Sequence, residues 1–270
     1  MTIAIGVKYP CGRLQRALAS LPQAHLPEAI VFVTDSRWTY SSPSVYFEDI
    51  GTKLFGLTNN AAIVYTGDVA SAEHCISELK RKLQNSALRK INVSETFQHV
   101  YKHHLKNRSS LKHPLIFLMG VYLKTEQANL IYFESPAFKP VFLEGVQGIG
   151  EMVAVNEVIE KVNRHINELI EGNIGDHTTK LGILIASIVN DQAILNPKYS
   201  TIAGPIQFAI VGKDGITTGE LSWTKDPTGA TDIWHRATAR KGELTTFQRR
   251  HNLSPNFINI KAFGLHTIID

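Results

Sequence analysis

Cysteine is nearly missing from this 270-residue chain: Cys11 and Cys75 are the only two. Thiols so far apart match no metal-binding or redox spacing, and so low a count is what a reducing compartment permits. Long apolar runs are missing too. The longest, around 115–121 and 181–189, fall well short of the roughly 20 residues that cross a bilayer. The opening Met1-Thr2-Ile3-Ala4-Ile5-Gly6-Val7-Lys8 has no basic segment followed by a long apolar stretch, so no signal peptide is expected. Charge is not weighted to one sign: 28 Lys and Arg face 24 Asp and Glu, a formal net charge of +4. Nucleic-acid binders gather basic residues more strongly, and nucleic-acid binding is not expected. Internal repeats and phosphate-binding loops are absent, so any ATPase partner has to be a separate chain. The expectation is a soluble, cytoplasmic protein, away from membranes, with neither cofactor nor metal.

What is present is the material of a folded core: 43% of residues are hydrophobic and 19% charged. That suffices for one sizeable core or two small ones. Residues 2–8 are β-branched and apolar and predict a strand. Residues 9–29 break the pattern with Pro10, Gly12, Pro22 and Pro27, and predict a loop carrying a short helix that ends at Pro22. Residues 30–34 predict a buried strand, and 38–46, rich in Ser, Thr and Pro, a loop. Residues 53–57 and 61–65 predict a hairpin turning at Thr58-Asn59-Asn60. A helix should follow Gly67-Asp68 to about residue 83, with Val69, Ala72, Cys75, Ile76 and Leu79 at helical period. A second helix is predicted over 93–105, and a three-stranded meander over 115–122, 128–133 and 139–143. Gly148-Ile149-Gly150 reads as a tight turn. Helices at 152–170 and 177–191 and a strand at 206–211, closed by Asp214-Gly215, complete the series. The order suits two sheets packed face to face with helices outside. The last fifty or so residues differ: between His235 and His251, Arg236, Arg240, Lys241, Arg249 and Arg250 face only Glu243.

Four residues stand out chemically. Thr2 becomes the first residue if Met1 is removed, and a small residue after Met is the usual substrate of methionine aminopeptidase. A threonine hydroxyl alone is a poor nucleophile, but the α-amino group of the same residue, with a pKa near neutrality, can take its proton. Asp35, in Val31-Phe32-Val33-Thr34-Asp35-Ser36-Arg37, ends an apolar strand and needs a partner if buried; a turn with Ser36 is the plainer role. Lys53 leads another apolar strand. It is either a solvated strand end or an inward positive charge that favours loss of the threonine proton. Gly67 joins a strand to a helix, where a backbone N–H can stabilise an oxyanion or simply make the turn before an Asp68 cap.

In order, N-terminal Thr-Ile, Val33-Thr34-Asp35-Ser36-Arg37, Thr52-Lys53-Leu54-Phe55 and Thr66-Gly67-Asp68 before a helix resemble the β-type proteasome subunits and their bacterial relatives, as does the fourteen-residue step from Lys53 to Gly67. Gly148-Ile149-Gly150-Glu151 before a long helix is similar to the bacterial Anbu group, which also places threonine directly after the initiator methionine. The resemblance covers 2–8, 30–85 and about 115–215. It implies an α+β fold, the four-layer αββα sandwich of the N-terminal-nucleophile hydrolases, over residues 1–220 with an insertion at 9–29 and a basic extension at 221–270. It also implies a threonine-type endopeptidase with Thr2 as nucleophile, Lys53 lowering its pKa, Asp35 orienting Lys53 and the Gly67 N–H holding the oxyanion. Substrates would be peptides or unfolded proteins, handled inside a homo-oligomeric ring or spiral, with a separate ATP-driven unfoldase as a possible partner.

The chain departs from that pattern in three places. Ile149 stands where many members carry serine within Gly-X-Gly. Tyr199-Ser200-Thr201-Ile202-Ala203-Gly204 lacks the aspartate that members place before the last core strand, and Ser200 or Thr201 supplies the hydroxyl only after a register shift. Residues 9–29 and the C-terminal extension are long. A catalytically silent structural subunit and a non-proteolytic amidase of the same mechanism are therefore the competing expectations. His99, His103, His104 and His113 read as a solvated helix face rather than a metal site. The basic C-terminal stretch reads as a solvated or subunit-bridging segment, without the aromatic interleaving of a nucleic-acid groove.

Overall fold

The computed structural model describes residues 2–10, 28–40, 46–48, 51–105, 114–125, 127–166, 177–191, 197–199, 202, 204–225, 231–238 and 244–251. The short helix expected within 9–29, and Cys11, His113, Ser200 and Thr201, lie outside them. The strands are β1 (Ile3–Tyr9), β2 (Ala29–Thr34), β3 (Trp38–Tyr40), β4 (Tyr46–Glu48), β5 (Leu54–Thr58), β6 (Ala61–Thr66), β7 (Ile116–Tyr122), β8 (Ala128–Glu134), β9 (Val141–Leu143), β10 (Val146–Gly150), β11 (Ile206–Gly212), β12 (Gly215–Lys225), β13 (Thr231–Thr238) and β14 (Leu244–His251). The helices are α1 (Val69–Asn85), α2 (Val93–Leu105), α3 (Met152–Ile166) and α4 (His177–Val189).

The fold is α+β, with two main antiparallel sheets. A seven-stranded sheet runs β10-β1-β2-β11-β12-β13-β14 and a five-stranded sheet runs β5-β6-β7-β8-β9. Continuous apolar strands are what sheets covered on both faces require, and alternate residues go to opposite cores. In β1 and β2, Ile3, Ile5, Val7, Val31 and Val33 join Val155, Val158, Leu181 and Ile185 of α3 and α4 in one core. Ala4, Ile30 and Phe32 point the other way, into a second core shared with Ala62, Val64, Leu118 and Leu130 of the five-stranded sheet. The far face of that sheet packs Ile63, Tyr65 and Phe117 against Cys75, Ile76, Leu79 and Phe97 of α1 and α2. Each fully buried aliphatic side chain contributes about 1.5–3 kcal/mol, so the three cores hold the two sheets and the described helices together.

Two expectations are corrected. Residues 38–46 are not simply a loop: Trp38 pairs with Glu48 and Tyr40 with Tyr46 in a short hairpin. Aromatic and β-branched residues flank the Ser41-Ser42-Pro43-Ser44 breakers there, and the breakers obscured the strands. Gly148-Ile149-Gly150 is not a tight turn but the end of β10, paired along β1 from Val7–Val146 to Ile3–Gly150. Its glycines reflect close packing. A Cβ on Gly148 would meet Val155 Cγ1 at 2.5 Å, because α3 lies directly on the strand. β12 runs across position 220, and β13 and β14 extend the same sheet beyond it.

Candidate active site at the end of the two sheets

Antiparallel pairing of β1 and β2, with Ala4 opposite Thr34, brings the first residue before β1 beside the first residue after β2. The junction is locked by main-chain and hydroxyl bonds: Asp35 N donates to Ile3 O (3.2 Å) and Thr34 Oγ1 donates to the same oxygen (2.9 Å). Asp35 Oδ1 then accepts from Ile3 N (3.0 Å) and from Thr2 Oγ1 (2.9 Å). Its other oxygen, Oδ2, accepts from Lys53 Nζ (2.9 Å) and Arg37 N (3.3 Å). Lys53 Nζ also donates to Thr2 Oγ1. Thr2, Asp35 and Lys53 thus form a closed triangle, although Lys53 comes from the head of β5 in the other sheet.

The triangle is buried. The Lys53 and Asp35 side chains are 4% and 0% exposed, and Thr2 is 4% exposed. A carboxylate in such a place is tolerable only when paired and fully hydrogen-bonded, and here four donors converge on it. The chemical consequence falls on Thr2. Its hydroxyl donates towards a carboxylate, which favours the alcohol, and accepts from a fixed ammonium, which favours the alkoxide.

β10 fixes the main chain of Thr2. Glu151 N donates to Thr2 O (2.8 Å), and Gly150 sits at φ 118° with its missing side chain directed at that oxygen, where a Cβ would come within 1.8 Å. Ile149 is turned away into the core between the sheets and offers Thr2 no polar group.

Gly67 closes β6 ahead of α1 at φ 112°, and a Cβ there would stand 2.6 Å from Pro114 O. Asp68 caps α1 by accepting from Ser71 N (2.8 Å). The β5–β6 register, with Leu54 opposite Val64, sets Gly67 at the same sheet end as Lys53. Gly67 takes no part in the hydrogen bonds that join Thr2, Asp35 and Lys53.

No family model matches the chain, and no curated protein matches it.

Two polar residues beside the triangle had no sequence assignment. Thr34 and Gln207 are cross-strand neighbours on β2 and β11. The Gln207 amide donates to Gly51 O (2.9 Å) and accepts from Lys53 N (3.0 Å) and Leu54 N (3.3 Å). The available signal was polarity at fixed parity. Gln207 interrupts Ile206-Gln207-Phe208-Ala209-Ile210-Val211 on the face that Ala209 and Val211 bury between the sheets. The His99 and His103 rings meet edge to face at 5.9 Å on α2. Among the described residues no group of His, Cys, Asp and Glu is arranged to hold a metal ion, and no helix is long and apolar enough to cross a membrane.

Proposed function

We propose that this protein is a threonine-type peptidase of the N-terminal-nucleophile kind, acting through Thr2 after removal of Met1. The observation that carries the reading is the buried triangle in which Lys53 Nζ and Asp35 Oδ1 both contact Thr2 Oγ1. Helix pairs on the outer faces of two apposed sheets are what the four-layer sandwich of that class would contain, and the three cores are consistent with it.

In the proposed reaction the freed α-amino group of Thr2 accepts the hydroxyl proton as Oγ1 attacks the scissile carbonyl carbon. Lys53 stabilises the developing alkoxide and Asp35 holds Lys53 in place. The Gly67 N–H is the proposed donor to the carbonyl oxygen as it becomes an oxyanion. Collapse breaks the C–N bond, the leaving amine takes the proton from the Thr2 ammonium, and an ester to Thr2 remains. Water, deprotonated by the same amine, hydrolyses the ester and restores the hydroxyl. The substrates would be peptides or unfolded protein, in a cytoplasmic homo-oligomer that encloses its sites.

One observation favours a second reading, a catalytically silent subunit of the same fold. Ile149 faces the core between the sheets, so that position supplies no hydroxyl to support the threonine amine. Hydrolysis of a fluorogenic peptide library separates the two. Cleavage by wild type that falls at least about 10³-fold in Thr2→Ala and Lys53→Ala supports the peptidase. Equal background turnover in all three proteins, each folded, supports the silent subunit.

A further inference from the structure

The candidate site is split between the sheets: Thr2 and Asp35 flank strands of the seven-stranded sheet and Lys53 precedes a strand of the five-stranded one. Its geometry therefore depends on how the two sheets are held at this end. The aliphatic layer between them fixes their separation but, being non-directional, does not fix the position of one strand along another. Among the described residues β5 is the edge strand of its sheet, and one side of its main chain has no ladder partner there.

Gln207 binds the main chain where that strand begins. It projects from β11 towards the other sheet, opposite Thr34, the residue immediately before Asp35. Its Oε1 takes the N–H groups of Lys53 and Leu54, and its Nε2 serves Gly51 O. Two N–H donors on one side and a carbonyl on the other leave a single sensible orientation for the amide. Gly51 is held a second time, its N–H donating to Ser36 O (2.8 Å), just past Asp35. The segment leading into β5 is thus pinned to the same stretch of chain that carries the carboxylate.

We infer that Gln207 is a positioning residue, an inter-sheet clamp that sets the Lys53 main chain so that its ammonium reaches Thr2 Oγ1 and Asp35 together. This inference rests on the peptidase reading of the site for its effect on rate. Displacement of a catalytic group by about 1 Å can cost on the order of 10²-fold in rate. Three directed bonds to Gly51, Lys53 and Leu54 are the kind of constraint that prevents it. Gln207 touches no reacting atom, so its removal should alter the activation of Thr2 without altering how a ligand is bound.

The test compares wild type, Gln207→Leu and Gln207→Glu. The glutamate keeps an acceptor for the two N–H groups, loses the bond to Gly51 and, when ionised, sets a carboxylate oxygen against the Gly51 carbonyl. Two quantities are read: amide hydrogen exchange at Lys53 and Leu54, and the pH dependence of Thr2 modification by a peptide epoxyketone. Gln207→Leu should accelerate exchange at both amides by about tenfold or more. It should slow modification by about 10- to 100-fold and raise its pH midpoint by about one unit, as the ammonium moves off. The inhibitor's reversible binding constant should stay put, and Gln207→Glu should recover most of the exchange protection. A merely structural role would lower the fraction of protein modified and leave the rate and midpoint of the remainder unchanged. That result, or unchanged exchange in Gln207→Leu, overturns the inference. If wild type forms no Thr2 adduct, the peptidase reading and the rate role fail together, while exchange still decides whether the clamp exists.

Discussion

Four donors converge on the Asp35 carboxylate, and one of them is the ammonium of Lys53, the only charged partner among them. Replacing the carboxylate by an amide of nearly equal size leaves that ammonium buried against a neutral group. Asp35→Asn should therefore cost about 3–5 kcal/mol of folding stability, the figure for breaking a buried pair, read from urea denaturation. A loss of only about 0–1 kcal/mol would mean that the pair behaves as a solvated one. Cys75 shows the opposite use of burial. Enclosed by α1 and α2 in the apolar core, its thiol is pushed up to about 12 by desolvation. The reactive species is the thiolate, so in a Cys11→Ser background Cys75 should stay silent to a disulfide reagent at pH 8 until the protein is unfolded. Labelling of the native protein at the rate of a free thiol would contradict that placement. Asp35 and Lys53 were legible as candidates because charges at the ends of apolar strands are expensive without a purpose. Gln207 was not, because its meaning lies at the start of an edge strand of the other sheet, 154 residues away in sequence.

Elements with a clean period were readable: β1, β2, the β5–β6 hairpin and α1 lie where apolar spacing puts them. Elements whose residues serve a neighbour were not. β10 carries glycines at 148 and 150 because α3 lies on one and the Thr2 carbonyl on the other, and two glycines around one apolar residue look like a turn. The positive φ at Gly150 and the 1.8 Å approach to Thr2 O give a direct prediction. Gly150→Ala should destabilise the fold by at least about 1–3 kcal/mol, and Thr2 reactivity should be lost beyond what the unfolded fraction accounts for. Thermal melts with adduct yields from the folded fraction would show this; full reactivity in the folded fraction would argue against β10 as the support of Thr2. Gly67→Ala faces the Pro114 carbonyl at 2.6 Å with φ 112° and should cost a similar amount.

For the whole molecule, the arrangement that matters is two apposed sheets whose strand ends meet in one polar site. The apolar layer between them, Ala4, Ile30, Phe32, Ala62 and Val64, ends in Thr34 and Gln207, and the charged triangle follows. The order of strands and helices was legible in apolar periodicity. The long reach of the seven-stranded sheet through β12, β13 and β14 was not, because the basic residues there mask a strand pattern. The measurement that tests the proposed chemistry most directly is the intact mass of the purified protein before and after incubation with a peptide epoxyketone. The reagent requires a hydroxyl and a free amine on one residue. The expected result is loss of Met1 and one stoichiometric adduct, absent from Thr2→Ala. A chain that keeps Met1 and gains no mass would contradict Thr2 as the nucleophile.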